Sequence, residues 1–197
     1  RMMMMSGAAV ANSYLGIPDI GLVSVTELAG HVAATRDVVD LCILADADTG
    51  FGNALNTRRT VQLLERAGAN AIMLEDQTYP KRCGHFEGKS VIPKDEMVKK
   101  LKAAVDARID PDMMILARTD ARAVEGFDAA CDRAAAYQEA GADFLFIEAP
   151  LDAEELLSIP KRVPGIHLCN MVIGGKTPLL PREQLAEAGY AVICYAN

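Results

Sequence analysis

Residues 76–85 form a short stretch whose side chains could move a proton. Cys83 follows two cations, Lys81 and Arg82, and His85 stands two positions after it. A free thiol titrates at about pH 8.5, and neighbouring positive charges favour its thiolate. We therefore expect Cys83 to exchange a proton near neutral pH. The alternative interpretation is a surface loop that carries an incidental cysteine.

Polar residues directly follow five successive apolar runs of the chain. They are Asp46, Asp48, Glu75, Asp76, Arg118, Asp120, Glu148 and Asn170. A helix cap or a solvated loop explains any one of them, and it is the simpler interpretation of Asp76 and Asp120. Five successive strand ends are harder to explain in this way, so we expect the side chains to converge on one pocket.

Asp46, Asp48 and Glu75 offer only oxygen ligands, with no His or Cys beside them. Such a set suits a hard cation, Mg²⁺ or Mn²⁺. The guanidinium of Arg118 can bind a carboxylate with two parallel hydrogen bonds. The sequence therefore predicts a metal site beside a carboxylate-binding site.

The elements that must position these residues are short apolar runs separated by amphipathic stretches. Seven runs have about the length of buried strands, at residues 2–5, 41–45, 71–74, 113–117, 144–147, 166–169 and 191–195. The signals between them predict helices: a capping box at Ser24–Glu27, three- and four-residue apolar spacing at Asn56–Ala67 and Phe127–Ala140, and a helix opened by Pro93.

An Ala-Gly pair recurs where three of the helical patterns end. Gly68, Gly141 and Gly189 each precede the next apolar run, and they fit the left-handed position that closes a helix. The alternation predicts an α/β fold, and a TIM-type (β/α)8 barrel rather than an open doubly wound sheet. We expect residues 1–197 to form one barrel domain with one of its eight units missing.

Composition narrows the class of protein. With 197 residues and 51% hydrophobic content, the chain can bury the core of one domain. A net charge of −7 without a basic stripe argues against nucleic-acid binding. No apolar run is long enough for a signal peptide or a membrane span, so we expect a soluble cytoplasmic protein. The five cysteines contain no C-x-x-C pair, which argues against disulfides and a zinc knuckle.

Several segments carry a family resemblance over nearly the whole chain. They are Ser6-Gly-Ala8, Gly16-Ile-Pro-Asp19, Asp46-Ala-Asp-Thr-Gly-Phe-Gly-Asn53, Glu75-Asp-Gln77, Lys81-Arg-Cys-Gly-His85, Ala117-Arg-Thr-Asp-Ala121 and Asn170-Met-Val-Ile-Gly-Gly-Lys-Thr-Pro178. The chain resembles the isocitrate lyase and phosphoenolpyruvate mutase superfamily. Within it, the Cys-Gly-His loop is most similar to the branch of 2,3-dimethylmalate lyases, 2-methylisocitrate lyases and the plant petal death protein.

The resemblance implies a Mg²⁺-dependent retro-aldol cleavage of a substituted malate or a similar di- or tricarboxylate. It implies that Asp46 binds the metal directly, while Asp48 and Glu75 hold its waters. Cys83 would protonate the leaving carbanion, and its thiolate would be the base of the reverse condensation. Arg118 and the amides of Ser6, Gly7 and Ala8 would grip a substrate carboxylate.

The remaining roles also come from the resemblance. Glu148 and Asn170 would help to position the substrate, His85 and Lys81 would tune the loop, Asp19 would lie beside the metal, and Gly84 and Gly88 would let the loop close. A homotetramer is implied as well. Pyruvate or another 2-oxo acid and a second carboxylic acid would be the products.

The chain departs from the family pattern at two site positions. Met4 stands where family lyases commonly have a Tyr, so the residue implied for deprotonating the substrate hydroxyl is absent. Ile173 stands where a Glu is usual, which we expect to alter the charge of the pocket. From the resemblance we also expect the chain to begin in the second strand and to lack the first strand and helix and the terminal helices. An open barrel predicts poor solubility or association through its strand edges.

Three other functions stay open at this point. An oxaloacetate hydrolase or decarboxylase would share most of the same residues. A phosphonomutase would act on a carbon–phosphorus bond and would not need Cys83. The last alternative is a non-catalytic, truncated barrel that keeps the polar residues at its strand ends but cannot fold, or that serves only as an association partner.

Overall fold

The computed structural model describes residues 1–84 and 86–196. Its strands are β1 Met2–Met5, β2 Cys42–Asp46, β3 Ala71–Glu75, β4 Met114–Thr119, β5 Phe144–Ile147, β6 Leu168–Val172 and β7 Val192–Ala196. Each of the seven predicted runs corresponds to one of these strands. All the pairings between the strands are parallel, which confirms the predicted α/β class.

Several strands reach further than the sequence predicted. Asp46 and Glu75 are the last residues of β2 and β3, and Arg118 lies inside β4. The prediction placed all three just after a strand. β6 differs most, because Asn170 to Val172 continue the pairing with β7 beyond the apolar run. Strand backbone rather than a loop therefore holds Asp46, Glu75, Arg118 and Asn170.

The strands pair in chain order. The first sheet has the order β1-β2-β3-β4-β5, and β6 pairs with β7. A parallel bridge between Leu145 and His167 joins β5 to the second pair. Among the described residues no ladder joins β7 to β1, although Cys194 Sγ lies 3.9 Å from Met4 Sδ. The structure thus bears out the parallel sheet, and closure into a barrel stays a prediction.

Both faces of the sheet are apolar, which explains the unbroken hydrophobic runs. Ile43 and Ala45 of β2 belong to the large cluster that packs the sheet against the helices, whereas Leu44 belongs to a second cluster on the other face. That second cluster includes Met73, Phe146 and the partly buried Met2, Met4, Met114, Val192 and Cys194. Alternate residues of each strand therefore line opposite sides of the sheet.

The α-helices lie between the strands. They are α1 Gly7–Val10, α2 Val25–Arg36, α3 Ala54–Arg66, α4 Lys94–Ala107, α5 Phe127–Glu139, α6 Ala153–Arg162 and α7 Arg182–Ala188. A π-helical turn follows α1 at Ala11–Leu15, and a 3-10 turn covers Ala121–Ala123. None of the helices within these described ranges is long and apolar enough to cross a membrane.

The predicted helix signals are found at the helix ends. Ser24 and Glu27 form the capping box of α2, and Pro93 is the N-cap of α4. Gly68, Gly141 and Gly189 follow α3, α5 and α7 with φ values of 100°, 104° and 110°. These angles confirm the left-handed conformation that the repeated Ala-Gly pairs predicted.

Candidate active site

The polar residues at the ends of the strands form what we call the polar rim. Backbone hydrogen bonds between neighbouring strand ends hold it together. Glu75 N donates to Asp48 O at 2.9 Å, and Glu148 N donates to Thr119 O at 3.0 Å. Asp76 N likewise donates to Arg118 O at 3.2 Å. The parallel register also places Glu75 directly beside Arg118. The predicted convergence of these side chains follows from this alignment.

A carboxylate cluster lies at the ends of β1 and β2. Asp46 Oδ2 accepts the Gly7 N–H at 3.0 Å, and its Oδ1 accepts the Asp48 N–H at 3.2 Å. Lys81 Nζ lies 2.6 Å from Asp19 Oδ1 and 2.8 Å from Asp48 Oδ1. The Lys81 side chain is only 2% exposed. Its ammonium therefore joins the loop segment that contains Cys83 to the cluster.

Burial shifts the ionisation of this cluster. Burial raises the pKa of Asp48 to about 7, and repulsion from Asp46 adds to the shift, while Lys81 opposes it. Burial also raises the pKa of Glu75 well above its usual range, against the opposing charge of Arg118. Burial alone would lower the pKa of Lys81, but the surrounding carboxylates, led by Asp46, raise it. Lys81 is thus a permanent cation in this site.

Arg118 is fixed by three carboxylates. Its Nη1 lies 3.2 Å from Glu75 Oε2, and its Nη2 lies 3.2 Å from Glu148 Oε2. Nε and Nη2 donate to the two oxygens of Asp120 at 3.0 and 3.1 Å. The guanidinium carbon also lies 5.6 Å from the centre of the Phe146 ring. The plane of the guanidinium is therefore set before any substrate binds.

A cavity of about 610 Å³ brings most of the predicted site residues together. The predicted residues that line it are Ser6, Ala8, Asp19, Asp46, Cys83, Gly84, Arg118, Glu148 and Asn170. Gly7, Asp48, Glu75 and Lys81 are buried and are not among its lining residues. His85 lies outside the described residues.

The positions of Gly7 and Ile173 differ from the sequence expectations. The Gly7 N–H, predicted to grip a substrate carboxylate, donates to Asp46 instead. Ile173 was expected to change the charge of the pocket, but it is 79% exposed and does not line the cavity. Its position in a turn after β6 directs it away from the interior, so that expectation is corrected. Met4 does line the cavity, where its thioether has no proton to exchange.

A divalent cation would take its ligands from Asp46, Asp48 and Glu75. Within residues 1–84 and 86–196, no group of three or more His, Cys, Asp or Glu is arranged so that it could hold a metal as it stands. The chemistry of the donors does fit. Glu75 Oε1 is buried without a hydrogen-bond partner among these residues, and Asp46 and Asp48 add further oxygens.

The balance of buried charge around the cavity also favours a bound divalent cation. The buried carboxylates are those of Asp19, Asp46, Asp48, Glu75, Asp120 and Glu148, and the buried cationic groups are those of Lys81, Lys89 and Arg118. The carboxylates outnumber the cations, and burial of uncompensated charge is costly. A bound divalent cation would offset the excess and favour the ionised forms of Asp48 and Glu75.

Two groups that support this site, Asp76 and Lys89, were given no role in it from the sequence. Asp76 is fully buried and accepts hydrogen bonds from Thr119 Oγ1 at 2.7 Å, Tyr137 OH at 2.7 Å and the Asp120 N–H at 2.9 Å. The Lys89 ammonium lies 2.7 Å from Asp120 Oδ1. The only sequence signal was the position of Asp76 and Asp120 after apolar runs, which caps and loops explain equally well.

The chain belongs to the phosphoenolpyruvate phosphomutase family, whose family model matches residues 1–197. It is 50% identical over 191 residues to 2,3-dimethylmalate lyase of Eubacterium barkeri, covering 97% of this chain and 66% of that protein. It is also 50% identical over 191 residues to 2-methylisocitrate lyase of Aeropyrum pernix, covering 97% and 61% of the two chains. The chain thus spans less than two thirds of the length of these relatives.

Solved structures share the same fold. The crystal structure of 2,3-dimethylmalate lyase has a TM-score of 0.95 at 32% identity, covering 98% of this chain and 66% of that one. An oxaloacetate acetylhydrolase complex with 3,3-difluorooxalacetate has a TM-score of 0.94 at 31% identity, with 98% and 67% covered. Phosphonopyruvate hydrolase complexed with oxalate and Mg²⁺ has a TM-score of 0.85 at 32% identity, with 98% and 67% covered.

Proposed function

We propose that this chain carries the active site of a Mg²⁺-dependent carbon–carbon lyase. Its substrate would be a substituted malate or a methylisocitrate-type 2-hydroxy acid, cleaved to pyruvate or another 2-oxo acid and a second carboxylic acid. The observation that carries the proposal is that Cys83, Arg118 and Asp46 line one cavity. Relatives that are 50% identical and named as lyases of such acids support the same reaction class.

Substrate binding falls to the fixed polar groups of the cavity. Arg118 would bind a substrate carboxylate through its guanidinium, whose plane is already held by Glu75, Asp120 and Glu148. Asn170 Oδ1 is buried without a partner among the described residues, so it would accept a hydrogen bond from the substrate hydroxyl. Ser6 and Ala8 would close the site from the side of β1.

The metal would be held by oxygen ligands from Asp46, Asp48 and Glu75, with Asp19 beside them. Mg²⁺, or Mn²⁺ in its place, supplies Lewis-acid chemistry that stabilises negative charge on a substrate oxygen. Lys81 contributes a second fixed positive charge next to this set. Its position two residues before Cys83 also keeps the thiol close to the cluster.

The bond to be broken joins the hydroxyl-bearing carbon to its neighbour. The hydroxyl would lose its proton to solvent water, its oxygen would form a carbonyl, and the electron pair of the broken bond would move to the leaving carbon. Cys83 would donate its thiol proton to that carbon and so complete the second carboxylic acid. In the reverse direction the Cys83 thiolate would remove the same proton. The roles of Lys81 and His85 would be to tune this loop.

The apolar part of the cavity wall suits a substrate with alkyl substituents. Leu44, Phe146, Leu168, Val172 and Val192 line the cavity beside the polar rim. Methyl groups on a malate would meet this surface without leaving polar atoms unpaired. This feature supports a substituted malate over an unsubstituted one.

Hydrolysis of oxaloacetate is the second candidate reaction. It is favoured by the TM-score of 0.94 to an oxaloacetate acetylhydrolase complex. The two reactions differ in their products, since the hydrolase would release oxalate and acetate from oxaloacetate. The test is an NMR assay of the protein with Mg²⁺ and each of 2,3-dimethylmalate, 2-methylisocitrate and oxaloacetate. Pyruvate from either of the first two supports the lyase, and oxalate alone contradicts it.

The finer features of the architecture are proposed with the activity. Seven parallel strands in chain order, with helices between them, support a single domain of the (β/α)8 barrel type. A homotetramer and a cytoplasmic location stay predictions from the sequence. Light scattering on the purified protein would test the tetramer.

A further inference from the structure

Lys89 connects the loop that contains Cys83 to the interior of the site. Its side chain is only 1% exposed, and its Nζ lies 2.7 Å from Asp120 Oδ1. The same ammonium donates a short hydrogen bond to the Gly84 carbonyl. A buried lysine is costly to desolvate, and the bonds to a carboxylate and a loop carbonyl offset that cost.

Asp120 links this lysine to Arg118. Asp120 is fully buried and bonds both Nε and Nη2 of Arg118, at 3.0 and 3.1 Å. The backbone N–H of Asp120 donates to Asp76 Oδ1 at 2.9 Å, so a second buried carboxylate fixes the backbone of Asp120. One rigid carboxylate therefore holds two cations: the substrate-binding guanidinium and the ammonium that bonds the loop.

At Gly84 the loop lies directly against Arg118 and Glu148. A Cβ added to Gly84 would overlap the carboxylate of Glu148 and the guanidinium of Arg118. The backbone next to Cys83 thus packs on the two groups that would handle the substrate. The Gly84 carbonyl, on the same residue, is the group that Lys89 bonds.

We propose that Lys89 is a positioning residue that holds the segment Cys83–Gly84 closed over Arg118 and Glu148. It acts through the Gly84 carbonyl and Asp120, and it is not among the residues that line the cavity. The inference rests on the proposed function, because Lys89 positions Cys83 and Cys83 is the acid of the proposed reaction. Loss of the ammonium releases the loop while Asp120 keeps its bonds to Arg118 and Asp76.

The test is hydrogen exchange of the Lys89→Met variant, compared with the wild-type protein and with Lys94→Met. Lys94 is an exposed lysine at the start of α4, so its variant controls for loss of a charge. We expect amides of residues 81–84 and 86–90 to exchange about fivefold faster or more in Lys89→Met, with β3 unchanged. Lys89→Arg should restore part of the protection, because its guanidinium can bond the same two oxygens.

Exchange does not depend on turnover, so it tests the closed loop even if the lyase reaction fails. An unchanged exchange rate in this segment would overturn the proposal. A rise spread evenly over all peptides would also overturn it, because it would indicate a global loss of stability.

In the cleavage assay, we expect kcat of Lys89→Met to fall about tenfold while KM stays within about threefold, since the acid is misplaced and the carboxylate site is intact. A rise in KM at constant kcat would contradict a role in positioning the acid.

Discussion

Arg118 bonds three carboxylates, so the orientation of its guanidinium is fixed without a substrate. Asp120 sets the plane of the guanidinium with hydrogen bonds from Nε and Nη2, while Glu75 contacts Nη1 and Glu148 contacts Nη2. Burial would lower the pKa of Arg118, but the charges of Asp120, Glu75 and Glu148 raise it well above its usual value. The side chain therefore stays charged and oriented, which lowers the ordering cost of binding an acidic substrate.

His167 illustrates the opposite case, a titratable group that serves the core. It is fully buried between β5 and β6, its Nε2–H bonds the Val163 carbonyl at 2.5 Å, and Nδ1 has no partner among the described residues. Burial lowers the pKa of His167 below its usual value, so the folded state holds the neutral form. Nothing in its surroundings assigns it to the site.

Replacement of His167 should reduce the pH dependence of stability. Because the folded pKa is lowered, the unfolded state binds more protons below about pH 6.5. The contribution of neutral His167 is complete above that pH and is lost as the pH falls through the folded pKa. We expect the urea-unfolding free energy of the wild type to fall more steeply than that of His167→Gln between pH 7.5 and 5, by at most about 1.4 kcal/mol per pH unit. Equal slopes would contradict this account.

Among the secondary-structure elements, the strands were predictable because both of their faces are buried. Ile43 and Leu44 point to different clusters, and both are apolar, so β2 appears as a continuous run. The same reasoning failed at the ends of β4 and β6. Arg118 and Asn170 extend into a polar cavity from within a strand, and local sequence cannot distinguish such a residue from one in a loop.

The candidate site was partly predictable for a related reason. Strand ends identified Asp46, Glu75 and Glu148, because parallel strands bring their carboxyl ends to one rim. The hydrogen bonds that Asp76 accepts were not predictable. Tyr137 and Asp76, for example, are 61 residues apart and meet only through packing. Lys89 was missed because nothing in its local sequence indicates that its side chain is buried.

The helix ends allow a matched test of backbone conformation. Gly30 lies inside α2 with open space around it, so Gly30→Ala should stabilise the protein by about 0.5–1 kcal/mol. Gly141 has a φ of 104°, and an added Cβ would lie 3.2 Å from Val105 Cγ2, so Gly141→Ala should destabilise it by about 1 kcal/mol or more. Urea unfolding measures both. Equal effects of the two substitutions would show that the left-handed turn is not required after α5.

For the molecule as a whole, similarity to solved structures defines the fold but does not distinguish between reactions. Structures with TM-scores of 0.95 and 0.94 are named as a lyase and as a hydrolase. A shared scaffold with different activities means that function depends on the side chains that line the cavity. The chain also covers only 66% and 61% of the two relatives described, so activity must be measured on the protein itself.

Mg²⁺ should stabilise the whole chain if the carboxylate cluster binds it. A ligand that binds only the folded state raises the unfolding free energy, by about 2.7 kcal/mol at a concentration 100 times its Kd. We expect a rise in Tm with Mg²⁺ that EDTA reverses and that Asp46→Asn abolishes. Asp132→Asn, an exposed carboxylate on α5, is the matched control and should keep the rise. An equal rise in both variants would place the metal elsewhere.

The measurement that tests the central claim most directly is pyruvate release from 2,3-dimethylmalate and 2-methylisocitrate, followed with lactate dehydrogenase. The wild type should release pyruvate with Mg²⁺ and lose the activity with EDTA. Cys83→Ala should lower kcat by about 100-fold or more, as expected for loss of a general acid. Cys42→Ala, at an exposed cysteine, should stay within about twofold of the wild type. Full activity of Cys83→Ala, or no pyruvate from the wild type with either substrate, would contradict the account.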